Sequence, residues 1–300
     1  PCTFCIIPKM KGKLHSTPAE ALIGEARRLA DEGVREIVLV AQDSTDYGRD
    51  LGLRDGLPEL LERLSEAVPE VPWLRLMYAY PGHVTRRLAE TMAALPNVAH
   101  YIDIPLQHAS ESMLRRMKRP SNTRMVREMF ETLRAEMPDI ALRTTFIVGY
   151  PGETQQEFDE LLGFVREMAF DHVGCFTFSP QSESPAAHEP GQVPERIKKR
   201  RQRALMEVAQ QVSTIRNRTL VGREIDVLVE SAEAARATID GAPNGGQFVV
   251  GRSYRDAPEV DGLVLLEGEF APGDFVRAKV TRALPYDLVA APVAVPALTT

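Results

Sequence analysis

Cysteine is scarce in this chain of 300 residues, where Cys2, Cys5 and Cys175 are the only three. So few, and an odd number, exclude a disulfide framework and point to a reducing cytoplasm. Long hydrophobic runs are lacking as well. None approaches the ~20 residues that a membrane-spanning helix needs, so no membrane partner is expected. Positive charge is in deficit, with 36 Lys and Arg against 42 Asp and Glu and a net charge of −6. That balance excludes a generally cationic nucleic-acid binder, although a local patch can outweigh the total. Neither an initiator Met nor a basic-then-apolar leader stands at Pro1, so the chain is expected to be a fragment with an upstream part missing. What remains is a globular composition, 44% hydrophobic and 26% charged, with ample material for one large domain or two ordinary ones.

Up to Pro180, short apolar runs alternate with amphipathic stretches. "CTFCII" (2–7), "EIVLVA" (36–41), "WLRLMYA" (73–79), "YIDIPL" (101–106), "ALRTTFIVG" (141–149) and "HVGCFTF" (172–178) read as six strands, being rich in β-branched and aromatic residues and bounded by Gly or Pro. Helices are expected between them. Thr17-Pro18-Ala19-Glu20 offers an N-cap, a Pro at the first helical position and a capping-box Glu, and Gly33 a stop. The spans 122–137 and 153–168 read as two more helices. Such alternation means parallel βα units, in an open sheet or a full or partial barrel, with chemistry at the C-terminal strand ends. That rule selects Cys5 through Pro8, Gln42-Asp43-Ser44, Tyr80-Pro81, Gln107-His108, Gly149 through Glu153 and Ser179-Pro180.

Beyond this point the texture changes. Residues 180–194 are rich in Pro and Ser and read as loop, and 195–218 reads as one long basic helix. From Gly222 onward come "REIDVLVE", "ARATID", "QFVVGRS", "GLVLLEG", "DFVRAKVTR" and "YDLVAAPV", short strands with turn signals that suggest a small all-β barrel.

The Cys2/Cys5 pair leaves three chemistries open. A thioredoxin-like redox pair needs a thiol at a helix N-terminus, and "IIP" after Cys5 suggests extended chain instead. A structural zinc site needs four ligands, yet a second CxxC is absent. An iron–sulfur cluster needs thiolates at short spacing on a loop, and a CxxxCxxC motif would place its first Cys three residues upstream of Pro1. Cys175 lies in an apolar run and reads as a buried, inert thiol.

At this point the motifs converge. "CTFCIIPKMKG", "IDIPLQHASESMLRRMKR" (102–119) and "RTTFIVGYPGET" (143–154) resemble the radical S-adenosylmethionine (SAM) methylthiotransferases, and "LVGREIDVLVE" (220–230) with "PGDFVRAKVTRALPYDLVA" (272–290) is similar to that family's TRAM barrel. Within the family, "PLQHAS" and "GRSYRDAPEVDG" (251–262) resemble the RimO type, which methylthiolates an aspartate of ribosomal protein S-12, more than the tRNA-modifying branch. The fold implied is α/β: a partial (βα)6 TIM-like radical SAM barrel at 1–182, a linker loop and basic helix at 183–218, and an OB-like TRAM β-barrel at 219–291.

The resemblance also implies a mechanism and a set of site residues. Three thiolates of a CxxxCxxC motif hold three irons of a [4Fe–4S] cluster, SAM chelates the fourth, and one-electron reduction by a donor such as a flavodoxin or ferredoxin cleaves the sulfonium. The resulting radical takes hydrogen from the aspartate β-carbon, which then receives a methylthio group. A second [4Fe–4S] cluster in an N-terminal domain outside this chain would supply the sulfur, so the piece alone is expected to be inactive. Cys2 and Cys5 map onto the second and third cluster ligands, with the other cysteine upstream of Pro1. Phe4 would pack near the adenine, and Gln42, Asp43, Gln107, Thr145 and Gly149 would hold SAM. His108 and Glu153 stay ambiguous, since a packing histidine and a helix-start glutamate would look the same.

Charge bears on the substrate. Arg196, Lys198, Lys199, Arg200, Arg201 and Arg203 form a basic run that reads as a nucleic-acid patch or a solvated helix face. Residues 219–291 carry seven cations against twelve anions, a net charge of −5, which repels phosphate and attracts a basic ribosomal protein. Ribosomal protein S-12 or the small ribosomal subunit is therefore the expected partner. A tRNA methylthiotransferase and a non-catalytic RNA- or ribosome-binding module are the alternatives.

Overall fold

The computed structural model describes residues 2–231 and 247–293. Two compact units divide between Ala209 and Gln210. In chain order the first contains α1 (Ile7–Lys11), α2 (Ala19–Asp31), β1 (Glu36–Leu39), α3 (Gly56–Ala67), β2 (Trp73–Leu76), α4 (Arg86–Ala94), β3 (Val98–Asp103), α5 (Glu111–Arg116), α6 (Thr123–Glu136), β4 (Ala141–Val148), α7 (Gln155–Met168), β5 (His172–Thr177) and the start of α8 (Glu195–Arg218). The five strands form one parallel sheet in sequential order, β1 to β5.

Five of the six expected strands are present, and the sixth is not. Cys2 to Ile6 form a turn, closed by the Cys5 N–H donating to the Cys2 carbonyl at 3.3 Å, and α1 follows at Ile7. The apolar residues suggested a strand, but Pro8 falls on the second position of α1, where its missing N–H costs no helical bond. The chain after Cys5 is thus helical rather than extended. α2 also departs from expectation. Its N-cap is Pro18, whose side chain has no acceptor to offer, and Thr17 falls one position outside, its carbonyl accepting from the Tyr47 hydroxyl at 2.9 Å. Gly33 does end that helix, at φ +84°.

Other helix ends carry the caps their sequences provide. Asn122 accepts from the Met125 N–H at the start of α6, and Thr154 with Glu157 forms a reciprocal capping box on α7. On α3, Leu60, Leu61 and Leu64 are buried, and each is worth about 1.5–3 kcal/mol.

α8 is amphipathic in an unusual way. Lys198, Arg201, Leu205, Val208 and Val212 are all buried, and their spacing of three and four follows one helical stripe. Two of the six cations of the basic run therefore belong to the interior, while Arg196, Lys199, Arg200 and Arg203 are exposed. Gln202 donates to the Cys175 carbonyl at 2.7 Å and Lys198 to the Phe178 carbonyl at 2.6 Å. These bonds cover backbone acceptors along β5, the last strand of the sheet.

The second unit is a closed barrel of β6 (Glu224–Ser231), β7 (Phe248–Arg252), β8 (Val264–Glu267), β9 (Phe275–Ala283) and β10 (Leu288–Pro292), in the order β10-β8-β7-β6-β9. The expected strand "ARATID" lies outside the described residues. Val227, Val264, Leu266 and Ala290 are fully enclosed in its core. Loop 252–262 is pinned from within. Arg252 donates to Glu230 at 2.6 Å and to the Asp256 carbonyl at 2.8 Å, Ser253 Oγ donates to Asp256 at 2.7 Å, and the Ala257 N–H donates to Asp261 at 3.0 Å.

Candidate active site

The Cys2–Cys5 turn is fastened to the C-terminal end of α5. Thr3 donates its N–H to the Met117 carbonyl at 3.2 Å and its hydroxyl to the Arg116 carbonyl at 3.1 Å. On its other side, Thr3 Oγ1 lies 2.8 Å from the Tyr150 hydroxyl. Burial and then Glu189, to which it donates at 2.9 Å, push that phenol up to about 12, so it stays protonated. Phe4 packs with Met113, Met117, Tyr150, Phe178 and Ala186, in a cluster that seats the turn. Cys2 and Cys5 are half-buried free thiols, and the Arg119 guanidinium donates to Cys2 Sγ at 3.8 Å.

Next to this turn, a cavity of about 110 Å³ is lined by Gln42, Tyr78, Tyr80, Pro105, Gln107 and Arg119. Strand ends converge here because residues after β1, β2 and β3 leave the sheet on the same side. Two of the lining residues hold left-handed backbone, Tyr78 at φ 58° and Gln107 at φ 73°. Such conformations are costly for residues with a Cβ and concentrate at functional sites. The Gln107 peptide is held on both sides by β4, its N–H donating to Thr145 and its carbonyl accepting from Ile147, both at 2.8 Å. Its buried Oε1 has no hydrogen-bond partner among the described residues.

The expected SAM residues do not form one group. Gln42 and Gln107 share the cavity. Asp43 turns away, accepting from the Thr45 N–H at 3.0 Å and lying 3.2 Å from His83 Nδ1. With Asp46, Asp43 and His83 make a cluster of possible metal-ligating atoms. Thr145 sits behind Gln107, its hydroxyl accepting from Arg143 at 3.3 Å. Gly149, at φ +75°, is closely backed by the Lys198 side chain, so a Cβ there would collide with it.

Gly149 opens a buried network. Its N–H donates to the Glu153 carboxylate, which also receives Arg201 at 2.7 Å and faces His108 Nε2 at 3.2 Å. The Ser110 N–H donates to His108 Nδ1 at 3.0 Å, so Nε2 carries the ring proton and donates to Glu153. His108 and Glu153 are therefore structural partners, tying the loop after β3 to the loop after β4. Glu157 lies nearby. Burial would raise its carboxyl, but hydrogen bonds from Arg116, Ser112 and Thr154 outweigh it and hold the group down to about 2. Cys175 is a poor metal ligand, since burial, with the Glu153 charge behind it, pushes its thiol up to about 12.

Comparison with known families follows the same division. Residues 1–165 match the radical SAM superfamily and 221–293 match the TRAM domain. The chain belongs to the radical SAM superfamily. Membership implies a [4Fe–4S] cluster and SAM as cofactors, and the two half-buried thiols on one turn are donors of the right kind for part of a cluster. Over 288 residues the chain is 52% identical to "Ribosomal protein uS12 methylthiotransferase RimO" of Roseiflexus sp. (strain RS-1), covering 96% of this chain and 59% of that protein. The protein of the same name from Chloroflexus aurantiacus is 49% identical over 287 residues, 96% of this chain and 62% of that one. The chain thus spans roughly three fifths of these relatives' length.

Among solved structures, coproporphyrinogen III oxidase (HemN) from Escherichia coli aligns with a TM-score of 0.51 at 13% identity, over 71% of this chain and 50% of that one. The radical SAM methyltransferase TsrM from Kitasatospora setae aligns with the same score at 18% identity, over 62% of this chain and 36% of its own. Both likenesses show the radical SAM fold.

Sequence reading missed Arg119, Tyr78 and the inward turn of Lys198 and Arg201. Arg119 follows a short helix rather than a strand, so the strand-end rule passed over it. The two α8 cations were legible in principle, because they extend an apolar stripe.

Proposed function

We propose that this chain is the catalytic part of a methylthiotransferase that adds a methylthio group to the β-carbon of an aspartate in ribosomal protein S-12. The observation that carries this reading is the roughly 50% identity, through both domains, to relatives bearing that activity in their name. The proposed division is a radical SAM domain at 1–182, a connecting loop and helix at 183–218, and a TRAM barrel at 219–291.

Cys2 and Cys5 are two of the three thiolates of a CxxxCxxC cluster motif, whose first cysteine lies upstream. Gln42 and Gln107 line the SAM subsite, and Thr145 and Gly149 shape it from behind through their backbone. Asp43 contributes through the Thr45 turn, and Phe4 by seating the cysteine turn. When bound, the cluster and SAM activate an unreactive C–H bond by one-electron chemistry. The chain's own work is to hold the thiolates on a fixed turn and shape the adjoining cavity. A second cluster in a preceding domain would supply the sulfur, and a flavodoxin- or ferredoxin-like donor in the cytoplasm the electrons.

The barrel supports a basic protein substrate. Glu224, Glu230, Glu259, Glu267, Glu269 and Asp274 are exposed, against Arg223, Arg277, Lys279 and Arg282. Arg277 is committed to Glu224 at 3.2 Å and Asp226 at 3.1 Å. A tRNA substrate is the second reading, favoured by the four exposed cations of α8.

The test uses the full-length protein, reconstituted anaerobically with iron and sulfide and incubated with SAM, reductant and either S-12 or tRNA. A mass gain of one methylthio group on S-12 is expected. A gain on tRNA alone, or no SAM cleavage, contradicts the proposal.

A further inference from the structure

Arg119 closes the "IDIPLQHASESMLRRMKR" stretch (102–119), and its backbone is held in a defined turn. Lys118 stands just before it at φ 54°, a left-handed position that favours Gly. The Lys118 N–H donates to the Arg115 carbonyl at 3.1 Å and the Arg119 N–H to the Leu114 carbonyl at 2.9 Å. This is the paired bonding of a Schellman turn, made here without its usual glycine. The turn folds the chain back over the end of α5, the same end whose Arg116 and Met117 carbonyls hold Thr3.

From there the guanidinium meets three other elements. It lies over the Tyr80 ring, 4.5 Å from the centroid. It donates to the Pro105 carbonyl, and its remaining edge points at Cys2 Sγ, 3.8 Å away. Nε is buried with no acceptor among the described residues. Stacking and the Pro105 bond fix the plane of the group, so the edge facing the sulfur is pre-set rather than adaptable.

We infer that Arg119 is a positioning residue for the cluster, its cation held against the Cys2 sulfur so that it orients this ligand and raises the reduction potential of the bound iron–sulfur centre. A ligating cysteine is a thiolate, and a fixed cation donating to it offsets the negative charge that one-electron reduction adds. Net charge and hydrogen bonds to the ligand sulfurs are among the terms that set such potentials. This inference rests on the assignment of Cys2 as a cluster ligand.

Full-length parent, Arg119→Lys and Arg119→Met proteins, reconstituted anaerobically, would be compared for iron per chain, for folding by circular dichroism, and for midpoint potential by titration followed by electron paramagnetic resonance. The expected order of potentials is parent highest, Arg119→Lys intermediate and Arg119→Met most negative. A Tyr80→Leu variant, which keeps the charge but removes the ring beneath it, is expected to shift the potential the same way by less. If Arg119→Met does not fold, Arg119→Lys and Tyr80→Leu decide the matter. Folded variants with iron content and potential equal to the parent's overturn the inference while leaving the proposed function standing. A parent that takes up no iron overturns both.

Discussion

The cysteine end of the parallel sheet and loop 252–262 of the barrel are both dense in polar residues, yet they use them in opposite ways. In the barrel loop Arg252, Ser253, Asp256 and Asp261 engage one another, Glu230 and nearby backbone. At the sheet's end, buried atoms of Gln107 and Arg119 stand without partners among the described residues beside a cavity, and Tyr78, Gln107 and Lys118 hold left-handed backbone. Only one barrel-loop residue, Glu259 at φ 65°, has comparable backbone. A closed polar network stabilises a fold, whereas one left open beside a cavity is arranged for something outside the chain. The "DAPEVDG" segment is anchored to the barrel through Asp256 and Asp261, while Glu259 and Val260 between them are exposed.

The largest loss is expected at the joint between the loops after β3 and β4. Replacing Glu153 by Leu strands Arg201 and the Gly149 N–H in the interior, and a loss of about 3–5 kcal/mol is expected in denaturant unfolding. A loss under 1 kcal/mol would mean that Glu153 does not join the two loops as described.

A smaller effect is expected at Glu157, held down to about 2. Its folded value lies below the unfolded one, so its contribution is present above the ordinary glutamate range and is lost as pH falls from there towards 2. With Arg116 partly exposed and screened, Glu157→Gln should cost about 2 kcal/mol at neutral pH. Parent and variant should converge when unfolding is measured near pH 2. A pH-independent difference would contradict the ion pair.

Asp256→Ala sharpens the contrast from the other side. It should lower barrel stability by about 1–2 kcal/mol, as expected for unpaired buried donors, with iron content and SAM cleavage unchanged. Altered choice between S-12 and tRNA at unchanged stability would make loop 252–262 a recognition element after all.

Much of the fold was legible because hydrophobic period and capping chemistry are local. The five strands, the Asn122 cap and the α8 span all follow from residues within a few positions of one another. The exceptions have local causes too: apolar Cys2–Ile7 resembles a strand, and Pro8 resembles a stop until it is placed in a first helical turn. Of the candidate site residues, the strand-end rule reached Gln42 and Gln107, which line one cavity. Arg119 became visible only in three dimensions, because its partners Cys2, Tyr80 and Pro105 are far from it in sequence. Asp43 shows the converse, a strand-end residue whose carboxylate is already occupied by its own turn.

The most direct test of the central claim is iron content and electron paramagnetic resonance of the full-length protein, reconstituted anaerobically, for Cys2→Ala, Cys5→Ala and Cys175→Ala side by side. Loss of the SAM-responsive cluster signal in the first two, with Cys175→Ala matching the parent, is the predicted result. Retention of that signal in either Cys2→Ala or Cys5→Ala, or its loss in Cys175→Ala alone, would contradict the assignment.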